Sequence, residues 1–104
     1  MIGIDTTALI DLYKGDGNLI KLLSNLIEPI CTTAINSLEI NFGLDPNRKD
    51  YNIEKEFYSR LVGNLIVLDF NKEHIDKSSS IFFELSSKGI LIGKFDCMIA
   101  GTFL

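Results

Sequence analysis

The stretch IGIDTTALIDLYK, residues 2–14, decides how the chain is read, because two periodicities meet inside it. Ile2-Gly3-Ile4 is short, apolar and β-like. Asp5, Thr6 and Thr7 then supply side-chain oxygens of the kind that accept hydrogen bonds from the free N–H groups at a helix start. Leu9, Ile10, Leu12 and Tyr13 follow on a helical stripe. A strand that passes directly into a helix opens a crossover unit, and the rest of the chain repeats the pattern. NLIKLLSNLI (18–27) is apolar at helical spacing and ends before Glu28-Pro29, because a residue preceding proline is pushed out of the helical region. Ile30-Cys31-Thr32-Thr33 reads as a second short strand, and Ala34 to Phe42 as a helix stopped by Gly43 at its C′ position. LDPNRKDYN (44–52) is the most loop-like stretch. It joins that helix to IEKEFYSRLVG (53–63) as a surface helical hairpin.

Leu65 to Leu68 is the clearest buried strand. Asn71 or a neighbour caps a long helix from Lys72 to Lys88, which Gly89 ends. Ile90-Leu91-Ile92-Gly93 leads into a last helix, where Phe95, Ile99 and Phe103 recur every four residues. Three apolar strands separated by helices predict an α/β domain whose parallel sheet is flanked by crossover helices. In such sheets function gathers beyond the carboxyl ends of the strands, which is where Asp5 falls.

The 104 residues suit one domain spanning 1–104, and 46% hydrophobic with 23% charged residues favours an ordered globular chain. Asp5 and Asp11 interrupt the N-terminal apolar run, so neither a signal peptide nor a membrane span is expected, and the cytoplasm is the default location. Cys31 and Cys97 lack metal-site or disulfide spacing and read as buried reduced thiols. A formal charge of −4 argues against holding nucleic acid by bulk electrostatics. It leaves room for a nuclease whose carboxylates hold a metal that meets the phosphate.

Three acidic residues sit in apolar surroundings: Asp5 in IGIDTTALI, Glu39 in INSLEINFG and Asp96 in LIGKFDCMIAG. Taken singly, Asp5 reads as a helix cap, Glu39 as a solvated helix position and Asp96 as a partner of a helix dipole. Taken together, three converging carboxylates without basic partners would repel one another unless a divalent cation joined them. Oxygen-only ligands suit Mg²⁺ or Mn²⁺.

The order and spacing of IGIDTTALIDLYKG, INSLEINFG and ILIGKFDCMIAGTFL resemble the PIN-domain ribonucleases, above all the VapC-type toxins of toxin–antitoxin pairs. The first segment matches the family's strand followed by Asp-Thr. The second matches its helix with Glu and a Gly four places on, and the third its Ile-Gly-x-x-Asp-x-x-Ile-Ala pattern. The resemblance implies that Asp5, Glu39 and Asp96 ligate Mg²⁺ or Mn²⁺, with Thr6 beside them. It implies an endoribonuclease that hydrolyses RNA with a metal-activated water, leaving 5′-phosphate and 3′-hydroxyl ends. An antitoxin protein is then an expected partner, with NLIKLLSNLI as a candidate docking segment, and a homodimer is a further expectation.

Asn36 departs from the Thr that the family often places three residues before its Glu. The family also continues past the point corresponding to Leu104, with the rest of the final helix, a strand with a Thr-x-Asn-x-x-Asp-like loop and a short last strand. The domain is therefore expected to be shortened at its C-terminus, with one side of the central strand unpaired. A second reading, from a different class, is a catalytically impaired remnant acting as an antitoxin-binding module. An aspartyl phosphotransferase is disfavoured, because Thr7 stands where that chemistry wants a second Asp.

Among other residues, His74, Asp11, Asp69 and Lys94 are expected to serve at the surface or as caps. Phe82, Phe83 and Phe95 are expected to fill the core, and Ser78-Ser79-Ser80 to pack closely inside a helix.

Overall fold

A computed structural model describes residues Met1–Leu104. The elements run β1 (Ile2–Gly3), α1 (Thr6–Tyr13), α2 (Gly17–Ser24), β2 (Ile30–Thr33), α3 (Ala34–Phe42), α4 (Tyr51–Gly63), β3 (Ile66–Leu68), α5 (Lys72–Ser87) and α6 (Lys94–Phe103). The three strands form one parallel sheet in the order β1-β2-β3, with Gly3 opposite Cys31 and Cys31 opposite Ile66. This is the α/β sheet that the sequence predicts. The open edges, however, belong to β1 and β3, while the central strand β2 is paired on both sides.

The helix starts follow local chemistry. Asp5, Asp16, Thr33 and Asn71 each accept a backbone N–H from three residues ahead. At Asn71 the bond is reciprocated by His74, whose Nδ1 accepts from the Asn71 N–H at 3.2 Å. The lone histidine therefore closes a capping box and is not simply solvated. Gly43 lies in ordinary right-handed backbone at φ −83°, so nothing at that turn requires glycine, whereas Gly89 adopts φ +73° and does.

Packing divides the molecule into two regions. Ile4, Leu9, Ile40 and Tyr58 form a core between α1, α3 and α4, with Tyr13 and Phe57 packed against it. On the other side α5 and α6 lie together where Gly101 meets Ser78 and the His74 carbonyl, so close that a Cβ at Gly101 would stand 2.9 Å from the Ser78 backbone nitrogen. Close packing thus holds at Ser78. Phe83 and Phe95 face water instead of filling a core, at 68% and 39% exposure. Cys31 and Cys97 are buried free thiols. No helix is long and apolar enough to cross a membrane.

Candidate active site

The site is fixed from the strands outward. Ile4 N–H donates to the Cys31 carbonyl at 2.8 Å, and the Thr32 hydroxyl returns a bond to the Ile4 carbonyl at 2.8 Å. The Thr32 bond is buried, and the two together tie the backbone entering Asp5 to β2. Asp5 then turns the chain into α1, its Oδ1 accepting from Ala8 N–H at 3.0 Å. The adjoining Thr6 reaches across to α3.

Thr33 ends β2 and caps α3, its Oγ1 accepting from both the backbone N–H of Asn36, at 3.1 Å, and that residue's Nδ2, at 3.0 Å. The Asn36 amide is thereby oriented with Oδ1 toward α1. There it accepts from Thr6 N–H at 3.1 Å and lies 2.9 Å from the Thr6 hydroxyl. One turn further along α3, Glu39 Oε1 lies 2.8 Å from the same hydroxyl. Asn36 is completely buried and Glu39 half-buried, while Asp5 and Asp96 are exposed. An apolar sequence neighbourhood does not bury a carboxylate at a helix start, because that end of a helix opens beyond the sheet toward water.

Asp96 occupies the first turn of α6, which packs on α3 and β2. The Phe95 ring beside it lies 6.1 Å from that of Phe42, three residues past Glu39. The structure thus joins Thr6 and Glu39 directly and sets Asp96 on the neighbouring helix. Asp5 and Asp96 rest at the starts of their own helices, and no three acidic, histidine or cysteine side chains are gathered closely enough to hold a metal. The donor set still fits a hard divalent ion, since it is all oxygen and none of the ion pairs in the molecule involves Asp5, Glu39 or Asp96. Asn36 is the residue sequence reasoning undervalued. Its signal was present in Thr33-x-x-Asn36, a cap residue followed at the third position by an amide.

Beside Glu39 a cavity opens between α1, α3 and α4, lined among others by Tyr13, Lys14, Arg48 and Tyr58. Burial, and after it the nearby Glu54 and Tyr13, push the Tyr58 phenol above its ordinary 10.0, against a smaller opposing pull from Arg48.

A parallel α/β sheet with a hydroxyl, a buried amide and carboxylates beyond its strand ends places the chain among domains that work at the carboxyl edge of the sheet. The chain belongs to the PIN domain family, whose profile matches residues 2–104. It is similar to DNA-bound VapBC from Salmonella typhimurium, with a TM-score of 0.86 at 26% identity over 98% of this chain and 79% of that one. VapBC2 from Rickettsia felis, bound to a DNA fragment from their promoter, gives 0.87 at 22% over the same shares. A toxin–antitoxin complex from Klebsiella pneumoniae gives 0.76 at 19%, over 98% and 77%. The last two likenesses establish the shared fold. No curated protein sequence matches the chain.

Proposed function

We propose that the chain is a metal-dependent endoribonuclease, the toxin of a type II toxin–antitoxin pair, in which Asp5, Glu39 and Asp96 hold Mg²⁺ or Mn²⁺ beside Thr6. The observation that carries this is the Thr6–Asn36–Glu39 network beyond the strand ends, rich in oxygen and free of any paired cation. A divalent ion at such a site supplies a Lewis acid for a phosphate oxygen and an acidified water. The chain's own residues supply position. Ile4 and Thr32 fix the approach to Asp5, Asn36 fixes Thr6, and Thr6 orients Glu39 by one of its two oxygens, leaving the other free.

The test is cleavage of single-stranded RNA in Mg²⁺ or Mn²⁺ by the parent chain, Asp5→Asn and Glu39→Gln. Each substitution is expected to lower the rate by roughly 100-fold or more, as loss of a site's electrostatic partner commonly does. Folding is expected to survive, because Asn still caps α1. Equal cleavage by parent and Asp5→Asn would sink the assignment.

An antitoxin is the partner this reading implies, and α2 supports it. That helix has no buried residue, and Ile20 and Leu22 on it, with Ile27 just beyond, face water. An amphipathic antitoxin helix would cover them. Leu22→Asp is expected to abolish antitoxin binding in calorimetry while leaving the unfolding free energy of the free chain within about 0.5 kcal/mol of the parent, as for other surface changes.

A further inference from the structure

We propose that the cavity enclosed by α1, α3 and α4 seats one RNA base next to the cleaved phosphate. This inference rests on the ribonuclease reading above. The cavity measures about 240 Å³ and has Glu39 in its wall, so whatever fills it lies one side chain from the proposed site. Pockets for drug-sized ligands run to roughly 300–1,000 Å³. This one takes a single ring system and not a helix.

Its walls suit such a ring. The half-buried Tyr13 contributes aromatic surface, the buried Tyr58 lies beside it with centroids 5.5 Å apart, and Phe57 braces both at 5.1 and 5.5 Å. Ile10, Ile40 and Leu44 add apolar contact. The polar groups are placed for recognition. Arg48 is fixed by its Nη2, which donates to the Gly43 carbonyl at 2.8 Å and to Glu54 Oε2 at 2.6 Å. Neither phenol hydroxyl makes a hydrogen bond within the chain, and no buried polar side-chain atom is left without a partner, so the Tyr58 hydroxyl is one that still meets solvent. Lys14, also in the wall, forms no ion pair and can meet a phosphate.

Unpaired RNA bases are held in this manner, stacked on rings and read by hydrogen bonds at their edges. An apolar side chain from a protein partner would leave the two hydroxyls and Glu39 facing groups that cannot bond them, at a cost. The mixed wall therefore favours a base.

The experiment scans one abasic residue along a short single-stranded oligoribonucleotide. Cleavage by the parent is followed, and binding to Asp5→Asn is measured with the same set. At one position the missing base is expected to weaken binding about tenfold, as loss of one aromatic-stacked base does. In Tyr58→Phe, combined with Asp5→Asn, that difference is expected to shrink to about threefold or less, the size of one lost hydrogen bond, whereas Lys14→Ala in the same background is expected to weaken intact and abasic strands alike, because both keep the phosphate. Tyr58→Phe keeps the ring, so the fold is retained. Cleavage with no abasic penalty, or with the same penalty in Tyr58→Phe, would overturn the base site and leave the ribonuclease reading standing. Base-dependent binding without cleavage by the parent would support the base site and overturn the reading it rests on. Ring resonances of Tyr13 and Tyr58 that shift with an antitoxin peptide but not with RNA would give the cavity to protein and overturn the inference.

Discussion

Thr6 has one hydroxyl proton and two acceptors for it, Asn36 Oδ1 at 2.9 Å and Glu39 Oε1 at 2.8 Å. One proton serves one of them well at a time. Thr6→Val removes the shared donor and is expected to lower RNA cleavage roughly 10- to 100-fold, the range for residues that orient a metal's ligands. Thr6→Ser, which keeps the hydroxyl, is expected to recover most of it, and equal losses in the two variants would argue against the hydroxyl. Asn36→Ala strands the Thr6 N–H and is expected to cost about 1–3 kcal/mol by chemical denaturation. Tyr58 gives a pH signature. Its phenol is raised above 10.0 in the folded chain, so folding favours the neutral form. That contribution is complete below pH 10 and is lost as pH rises through the raised value. Denaturation across alkaline pH is expected to show a fall that Tyr58→Phe lessens. At this scale the sequence displayed the candidate acids openly, because Asp5, Glu39 and Asp96 stand out against apolar neighbours, but of the three the structure bonds only Glu39 to Thr6. The sequence concealed Asn36, whose importance depends on a contact thirty residues away, and it concealed the cap made by His74, because the histidine's partner is a backbone N–H rather than a side chain.

The elements themselves were legible wherever local chemistry decides them. Asp5, Thr33 and Asn71 cap the helices they precede, and the apolar runs at Ile30 and Ile66 form strands, but the run that reads as the clearest buried strand is an open edge, with Ile66 46% and Val67 37% exposed. Facing was less legible, because helical spacing marks a stripe without telling which neighbour covers it. Phe83 and Phe95 lie on such stripes and remain open to water. Gly43 stops α3 without needing glycine's freedom, and its place in the sequence alone could not show that. The pairing of α5 with α6 depends on a different glycine. Gly101→Leu would drive a side chain into Ser78 and the His74 carbonyl, and it is expected to cost about 1–3 kcal/mol or more by overpacking. Adding Ser78→Gly is expected to restore only part of this, because backbone atoms of α5 remain in the way. Thermal unfolding of the single and double variants checks both statements, and full recovery would mean that the serine side chain alone sets the spacing.

Taken whole, the molecule is thin. Its extents are 42 × 38 × 25 Å and its radius of gyration is 15.1 Å, above the roughly 13 Å usual for a domain of this length. Only 13 of 104 residues are buried, which limits the hydrophobic contribution to stability. Ligands that bind the folded form should then be conspicuous. Excess Mn²⁺, at about a hundred times its dissociation constant, is expected to add about 2.7 kcal/mol to the parent. The gain should be much smaller in Asp5→Asn, and an equal rise in both chains would place the ion elsewhere. The small core also ranks the parts of the molecule by how long they last. β2 has a strand on each side, and Cys31, Thr32 and Thr33 are its least exposed residues, at 3%, 0% and 0%. Transferred to heavy water, the chain should exchange α2 first and the amides bonded to and from β2 last. Thr32 holds Ile4, and Thr33 holds Asn36. Partly opened forms would therefore shed their periphery while Thr6, Asn36 and Glu39 stay assembled, and the corner proposed to do the chemistry would be the last part of the chain to forget its shape.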